Sequence, residues 1–404
     1  MKKIFLSIAI VMALLLTGCG VLSEDKIKDN FIKGTENLKS YYLEGEMSLT
    51  NNDDTYKYDV KASYQKDENY RVVLTNKANN YQQIILKNSD GVYVISPSIN
   101  KSFKFQSTWP NNNSQVYLLG SLVTDLKNDK EAGFEQQDNN FIFTTKVNYP
   151  NNPSYVKQQI ILDKNSNLKQ VKVLDEKNIP YVEFLVSKID KKPSFNEDYF
   201  NLEKVAKEYQ VETNDTTQSE TKDETNNKEQ NNQATEEENK NSQSTEEAAN
   251  ETERQQENKK ETTTNEDQRQ ATEDQRENSD TQDKKEATTS LEDSLFPFYL
   301  PTNTSLSNKE TIQTENGQRM IMTFSGDNPF ILVQETVSKS DELTIVPTYG
   351  EPFLLIDTVG SLTDVSYTWT SNGIEYYIAS DTMNKQELLQ VAKSLNVVAT
   401  INEK

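Results

Sequence analysis

Cys19 is the one cysteine of the chain, and its 404 residues include no histidine. Those two counts remove most of the chemistry a side chain can perform. Without imidazole there is no Ser-His-Asp or Cys-His relay, no histidine-held zinc and no imidazole pH switch. One thiol cannot close a disulfide within the chain or build a cysteine metal site. Asp163, Asn165 and Asn167 match the first three ligand positions of a calcium loop, which also needs Gly at its sixth position and Glu at its twelfth. Leu168 and Leu174 stand there instead, so this stretch reads as a polar turn between strands. There is no glycine-rich phosphate loop. Asp and Glu number 64, yet no spacing singles out a carboxylate pair for glycoside chemistry. The sequence predicts no catalytic residue, no metal and no cofactor, and the chain reads as a non-enzyme.

Cys19 has a different chemistry, its own modification. Lys2 and Lys3 precede Ile4–Leu16, an almost unbroken apolar run of 13 residues. That run is too short for a ~30 Å hydrocarbon core, which takes ~20 residues, but it has the length and flanks of a secretory signal. It ends in Leu16-Thr17-Gly18-Cys19, which resembles a bacterial lipobox. The resemblance implies cleavage between Gly18 and Cys19 and diacylglycerol on the Cys19 sulfur. Two acyl chains anchor stably where one is marginal. Residues 1–18 are then the signal peptide, 19–24 a lipidated tether, and the expected location is the extracytoplasmic face of the cell membrane. A formal net charge of −21 argues against nucleic acid, whose binding needs basic clusters.

Composition divides the remainder into three. Residues 25–211 are dense in Tyr, Phe, Val and Ile. From Glu212 to Ser290 the only apolar residues are alanines, and 23 acidic against 10 basic residues place −13 of the −21 there. Such a stretch cannot bury enough apolar surface to offset its ordering entropy, which predicts a disordered acidic linker. Aromatics and large aliphatics return over 291–404.

The elements expected over 25–211 are mostly strands. Ile27, Phe31 and Leu38 give one apolar helix face between Asp25 and Lys39, with Ser23 or Asp25 as cap. Period-2 alternation follows through Tyr42–Leu49 and Tyr56–Tyr64, then in eight further short runs separated by Asn-, Asp- and Gly-rich turns. Leu118, Leu119, Leu122, Val123 and Leu126 return to helical spacing. The fold class is therefore mainly β with α, an open antiparallel half-barrel sheet under a helical lid. Tyr93, Pro97, Phe103, Phe105, Trp109, Pro110 and Tyr117 are the residues able to line a partner or lipid surface, while the favoured reading of most of the aromatics is core fill of a strand-rich fold. The loop from Ser107 to Ser114 is the expected place for it.

Asp90-Gly91-Val92-Tyr93-Val94-Ile95-Ser96-Pro97, followed by Asn100-Lys101, resembles the hairpin of the LolA-like lipoprotein-carrier superfamily. The continuation Ser102-Phe103-Lys104-Phe105 to Trp109-Pro110, then Ser114 to Leu119, is similar to clostridial germination lipoproteins of the GerS type. The resemblance covers about residues 25–205. It implies a half-barrel with a lid, a sporulation or spore-germination setting at the forespore or spore envelope, and a protein partner such as a cell-wall amidase acting on cortex. The broader superfamily implies instead a carrier of lipid or acyl chains.

Residues 291–404 read as a small α+β domain. Strands are expected at Met320–Phe324, Phe330–Glu335, Leu343–Pro347, Val365–Thr370 and Ile374–Ser380. Asn384 with Glu387 has the capping-box pattern and opens a helix bearing Leu388, Val391, Ala392 and Leu395. This part resembles a domain of unknown function at the ends of many Gram-positive lipoproteins and anti-sigma proteins, which adds a third reading, an envelope-stress sensor acting on an anti-sigma factor. The preferred expectation is a membrane-anchored, non-catalytic binding lipoprotein.

Overall fold

The computed structural model describes residues 23–51, 54–149, 151–210, 291, 295–315, 317–355 and 358–395. Cys19 with its lipobox, and the whole acidic stretch 212–290, lie outside the described residues.

Helix α1 (Glu24–Glu36) opens on Ser23, whose hydroxyl accepts from the Lys26 N–H at 3.4 Å. Glu24 and Asp25 occupy its first turn, where the helix dipole favours negative charge. The helix stops short of Lys39 because Ser40 already begins a strand. Six strands then run as an antiparallel meander: β1 (Ser40–Asn51), β2 (Asp54–Gln65), β3 (Asn69–Asn76), β4 (Gln82–Asn88), β5 (Gly91–Ser96) and β6 (Lys101–Phe105). Helix α2 (Leu119–Asn128) follows, and a second meander of β7 (Gly133–Gln137), β8 (Asn140–Lys146), β9 (Lys157–Leu162), β10 (Leu168–Leu174) and β11 (Pro180–Asp190). β11 returns to pair with β1, so the two meanders fuse into one sheet that stays open, as the alternation predicts. Register slips at Glu44/Gly45. A Cβ on Gly45 would lie 2.5 Å from the Leu185 carbonyl oxygen and 2.6 Å from the Phe184 ring. A side chain there would pry β1 from β11 where the sheet bends.

The concave face is filled by the chain itself. Ile27 and Phe31 of α1 and Leu119, Leu122, Val123 and Leu126 of α2 pack against Leu43, Met47, Val60, Phe143 and Phe184. The convex face carries a strap that sequence patterning did not predict, α3 (Leu202–Glu208). Phe200, Val205 and Ala206 of this strap cover Val73, Ile84, Leu86, Tyr93 and Ile95. Arg71 is the latch. Its side chain is 3% exposed, meets Glu208 at 2.7 Å, donates to the Tyr199 carbonyl at 3.2 Å, and lies over the Tyr199 and Tyr209 rings at 4.5 and 5.1 Å.

A second sheet is built from β12 (Thr304–Thr314), β13 (Gly317–Gly326), β14 (Phe330–Thr336), β16 (Glu351–Leu354), β17 (Val359–Leu362), β18 (Ser366–Ser371) and β19 (Ile374–Ala379), in the order β12-β13-β14-β19-β18-β17-β16. Helix α4 (Lys385–Ser394) closes its core with Leu388, Leu389 and Val391 on Met322, Leu332, Tyr367, Trp369 and Ile378. Asn384 caps the helix, accepting from the Gln386 and Glu387 N–H groups at 3.0 Å, while its side-chain amide, rather than its backbone N–H, donates to the Glu387 carboxylate at 3.2 Å.

One strand departs from the expected division. The run expected as Leu343–Pro347 forms β15 (Thr344–Thr348), which pairs parallel with β6 and becomes the edge of the first sheet. A half-barrel ending at 211 and a small domain beginning at 291 are therefore stitched together by one strand. Alternation reveals that a strand exists and which face it buries, but not its neighbour.

Candidate functional site

The seven aromatic and proline residues singled out from sequence do not meet at one surface. Trp109 is 1% exposed and Tyr117 6%, both in the concave core, and Trp109 meets the Tyr70 ring edge-on at 5.8 Å. Pro110 is buried beside Trp109, so the 107–114 loop turns its aromatic inward and leaves Asn111 exposed. Phe105 is buried on the same concave face. Tyr93 lies on the opposite face under the α3 strap, and Pro97 is buried in the short 3₁₀ turn after β5. Phe103 alone of the seven is half-buried, and it lines a cavity on the seam between the two sheets.

That seam is the part of the molecule where polar groups and space coincide. At its centre is Asn100, in the left-handed region at φ 53°, which Asn tolerates better than most residues. Its side-chain nitrogen donates to the Ser340 carbonyl at 3.0 Å, and its side-chain oxygen accepts from Gln210 at 2.9 Å. Its backbone carbonyl accepts from the Thr344 N–H at 3.1 Å. One asparagine thus joins the β5–β6 turn, the end of the strap and the entry to β15. Farther in, the buried Gln83 amide donates to the Val359 carbonyl at 3.1 Å and accepts from the Val359 N–H. Glu351 accepts from Ser107, and from Asn112 at 2.8 Å. Asn100 was visible in sequence only as part of a hairpin motif, while nothing marked Gln83 or Glu351.

Two spaces bear on a ligand. Where Leu354 and Val359 enter the mouth of the concave face, the remaining cavity is about 100 Å³. Under β15 a second of about 290 Å³ is walled by Val94, Phe103, Phe105, Val346, Pro347 and Trp369. The Ser96 hydroxyl and Trp369 Nε1, both buried at this cavity, have no hydrogen-bond partner. Glu375 also lines it, and burial raises its carboxyl pKa despite the opposing pull of Lys101. Asp125, on α2, has a carboxyl pushed up to about 6 by burial, against hydrogen bonds from Ser114 and Gln158. Gln158 reaches it at 2.7 Å. Among the described residues no group of three or more Cys, Asp or Glu side chains is placed to hold a metal ion, and no helix is long and apolar enough to cross a membrane.

No protein-family model matches the chain. Three solved structures resemble it weakly. The Pseudomonas aeruginosa MucA/MucB complex aligns over 91% of this chain and 97% of the other at 9% identity and TM-score 0.28. A LolA superfamily protein from Nitrosomonas europaea aligns over 45% and 98% at 13% identity and TM-score 0.26. The structure of the Clostridioides difficile CwlD amidase in complex with the GerS lipoprotein aligns over 43% and 95% at 14% identity and TM-score 0.18. At such scores they lend no weight to any partner or ligand. A curated relative is far closer: sporulation protein YdcC of Bacillus subtilis strain 168 is 30% identical over 401 residues, covering 98% of both chains. The chain belongs to the family of that protein.

Proposed function

We propose that this protein is an extracytoplasmic lipoprotein, anchored through Cys19, that acts in sporulation by holding a partner protein rather than by catalysis. The observation that carries the reading is the end-to-end likeness to a sporulation protein, 30% identical over 401 residues. A likeness that spans both sheets and the stretch between them supports a shared role for the whole chain. The chemistry of the chain favours binding: it holds no histidine and one cysteine, and the aromatic candidates form core rather than a catalytic cluster. The finer reading is a cell-wall amidase of the spore cortex as partner. Affinity capture of the tagged chain from sporulating cells is expected to recover such an enzyme. Capture that yields no cell-wall enzyme under conditions that preserve the anchored chain overturns the partner. Cys19→Ala is expected to move the protein from the membrane fraction to the soluble one, and an unchanged distribution overturns the anchor.

The acyl-carrier alternative is the weaker one. Sites for drug-sized ligands run to ~300–1,000 Å³, whereas about 100 Å³ remains at the mouth of the concave face and about 290 Å³ under β15.

A further inference from the structure

The seam holds a third space, distinct from the one under β15. It is a cleft of about 540 Å³ between α4 and the segment that joins β8 to β9, and it shares walls with the small concave cavity. Lys393, in the last turn of α4, lines both spaces. Among the described residues no hydrogen bond or ion pair partners its ammonium, and desolvation by burial lowers its pKa. Neither space has an Asp or Glu among its described lining residues. In a chain with 64 acidic residues and a net charge of −21, a cleft whose described lining has one cation and no carboxylate needs a physical reason.

Removing an ammonium from water costs several kcal/mol unless a counter-charge is supplied. The place of Lys393 near a helix C-terminus returns only ~0.3–1 kcal/mol through the dipole. The remaining walls are mixed, with Leu49, Phe298, Leu355 and Leu389 beside polar groups. Asn152 and Gln390 present amides, and Tyr155, Tyr181 and Tyr299 present rings with hydroxyls. Amides and flat aromatic faces around a lone cation match a carboxylate whose body carries hydroxyl or amide groups. They do not match a bare hydrocarbon tail. The volume is within the ~300–1,000 Å³ range of small-molecule sites.

We propose that this cleft binds a carboxylate borne on a compact polar body, with Lys393 as the counter-ion. Two sources share that chemistry, a sugar acid and the carboxylate end of a short peptide. The site is independent of the partner proposed above, since every described residue that lines the cleft belongs to this chain.

The test uses calorimetric titration of the full chain with a matched pair of probes. N-acetylmuramate differs from N-acetylglucosamine by a lactyl ether that ends in a carboxylate. Saturable binding of N-acetylmuramate with none of N-acetylglucosamine is expected for a sugar-acid site. Saturable binding of N-acetyl-alanyl-alanine in place of the sugar acid assigns the peptide source. Lys393→Met is expected to weaken binding at least about tenfold, while Lys393→Arg retains it. Absence of saturable binding by both acids up to ~10 mM, a range that spans weak affinities, overturns the proposal. So does equal binding of the neutral sugar, or undiminished binding by folded Lys393→Met. A second readout does not depend on that variant folding: on reductive ¹³C-methylation, the Lys393 resonance, identified by its loss in Lys393→Arg, should titrate at a higher pH midpoint once the acid is bound. An unmoved midpoint at saturation also overturns it.

Discussion

The interior of the first sheet and the seam between the sheets are built on opposite principles. The interior is closed by apolar chains from α1, α2 and the strands, with Trp109, Phe143 and Phe184 among its fully buried members. The seam is closed by single polar side chains, Asn100, Gln83 and Glu351, and it encloses spaces of about 290 and 540 Å³. Protein interiors pack to crystal-like density with few voids larger than water. The difference teaches that shape is set in one place and accommodation is kept in another. A ligand or partner finds more room at the seam than on the concave face, where about 100 Å³ remains.

Several substitutions break or sharpen this contrast. The largest effect belongs to the interior: Trp109→Ala should lower unfolding free energy by about 3–5 kcal/mol in urea denaturation. A loss below about 1 kcal/mol would mean that the lid is loosely packed after all. Asp125→Asn should act with the opposite sign. Burial pushes the folded carboxyl up to about 6, above its unfolded value near 4, so this group's contribution is most favourable below pH 4 and is lost as pH rises through 6. Replacing the carboxyl should remove that part of the slope and stabilise the protein at pH 7 by something on the order of 2–3 kcal/mol. A variant-minus-wild-type difference that stays constant between pH 4 and 7 would refute it. Glu208→Ala leaves Arg71 buried without its carboxylate and should cost about 2 kcal/mol. Amide exchange should then quicken in α3 before it quickens in α2. Gln83→Ala is expected to be the mildest, about 1 kcal/mol, because water in the adjoining cavity can satisfy Val359. Its signature is faster exchange in β17, where Val359 lies, with β1–β3 unchanged, and equal losses from Gln83→Ala and Trp109→Ala would erase the distinction between seam and interior.

The interior was legible in the sequence because it rests on periodicity. Leu119, Leu122, Val123 and Leu126 at helical spacing and the alternating Tyr56–Tyr64 run show their faces directly. β12 was not legible, since Leu306 and Ile312 are exposed and its other positions are polar on both faces. The seven-residue α3 was too short to show a period. The seam was illegible for another reason. Asn100, Gln83 and Lys393 are ordinary polar residues whose roles come from partners, or the lack of one, far away in sequence. The Gln83–Val359 pair is separated by 276 positions. The aromatic candidates failed to mark a surface because Trp, Tyr and Phe serve as core in a strand-rich fold more readily than as an exposed patch.

The parallel pairing of β15 with β6 also has a consequence in time. Ribosomes add about 5–20 residues per second, so Thr344–Thr348 follows the end of β11 at Asp190 by roughly 8–32 s at that rate. Throughout that interval β6 is an unpaired edge, a template for any extended chain nearby. The nascent protein is thus most vulnerable to misassociation while it already looks folded, and a holdase that shields one strand edge should raise its yield more than one that binds unfolded chains.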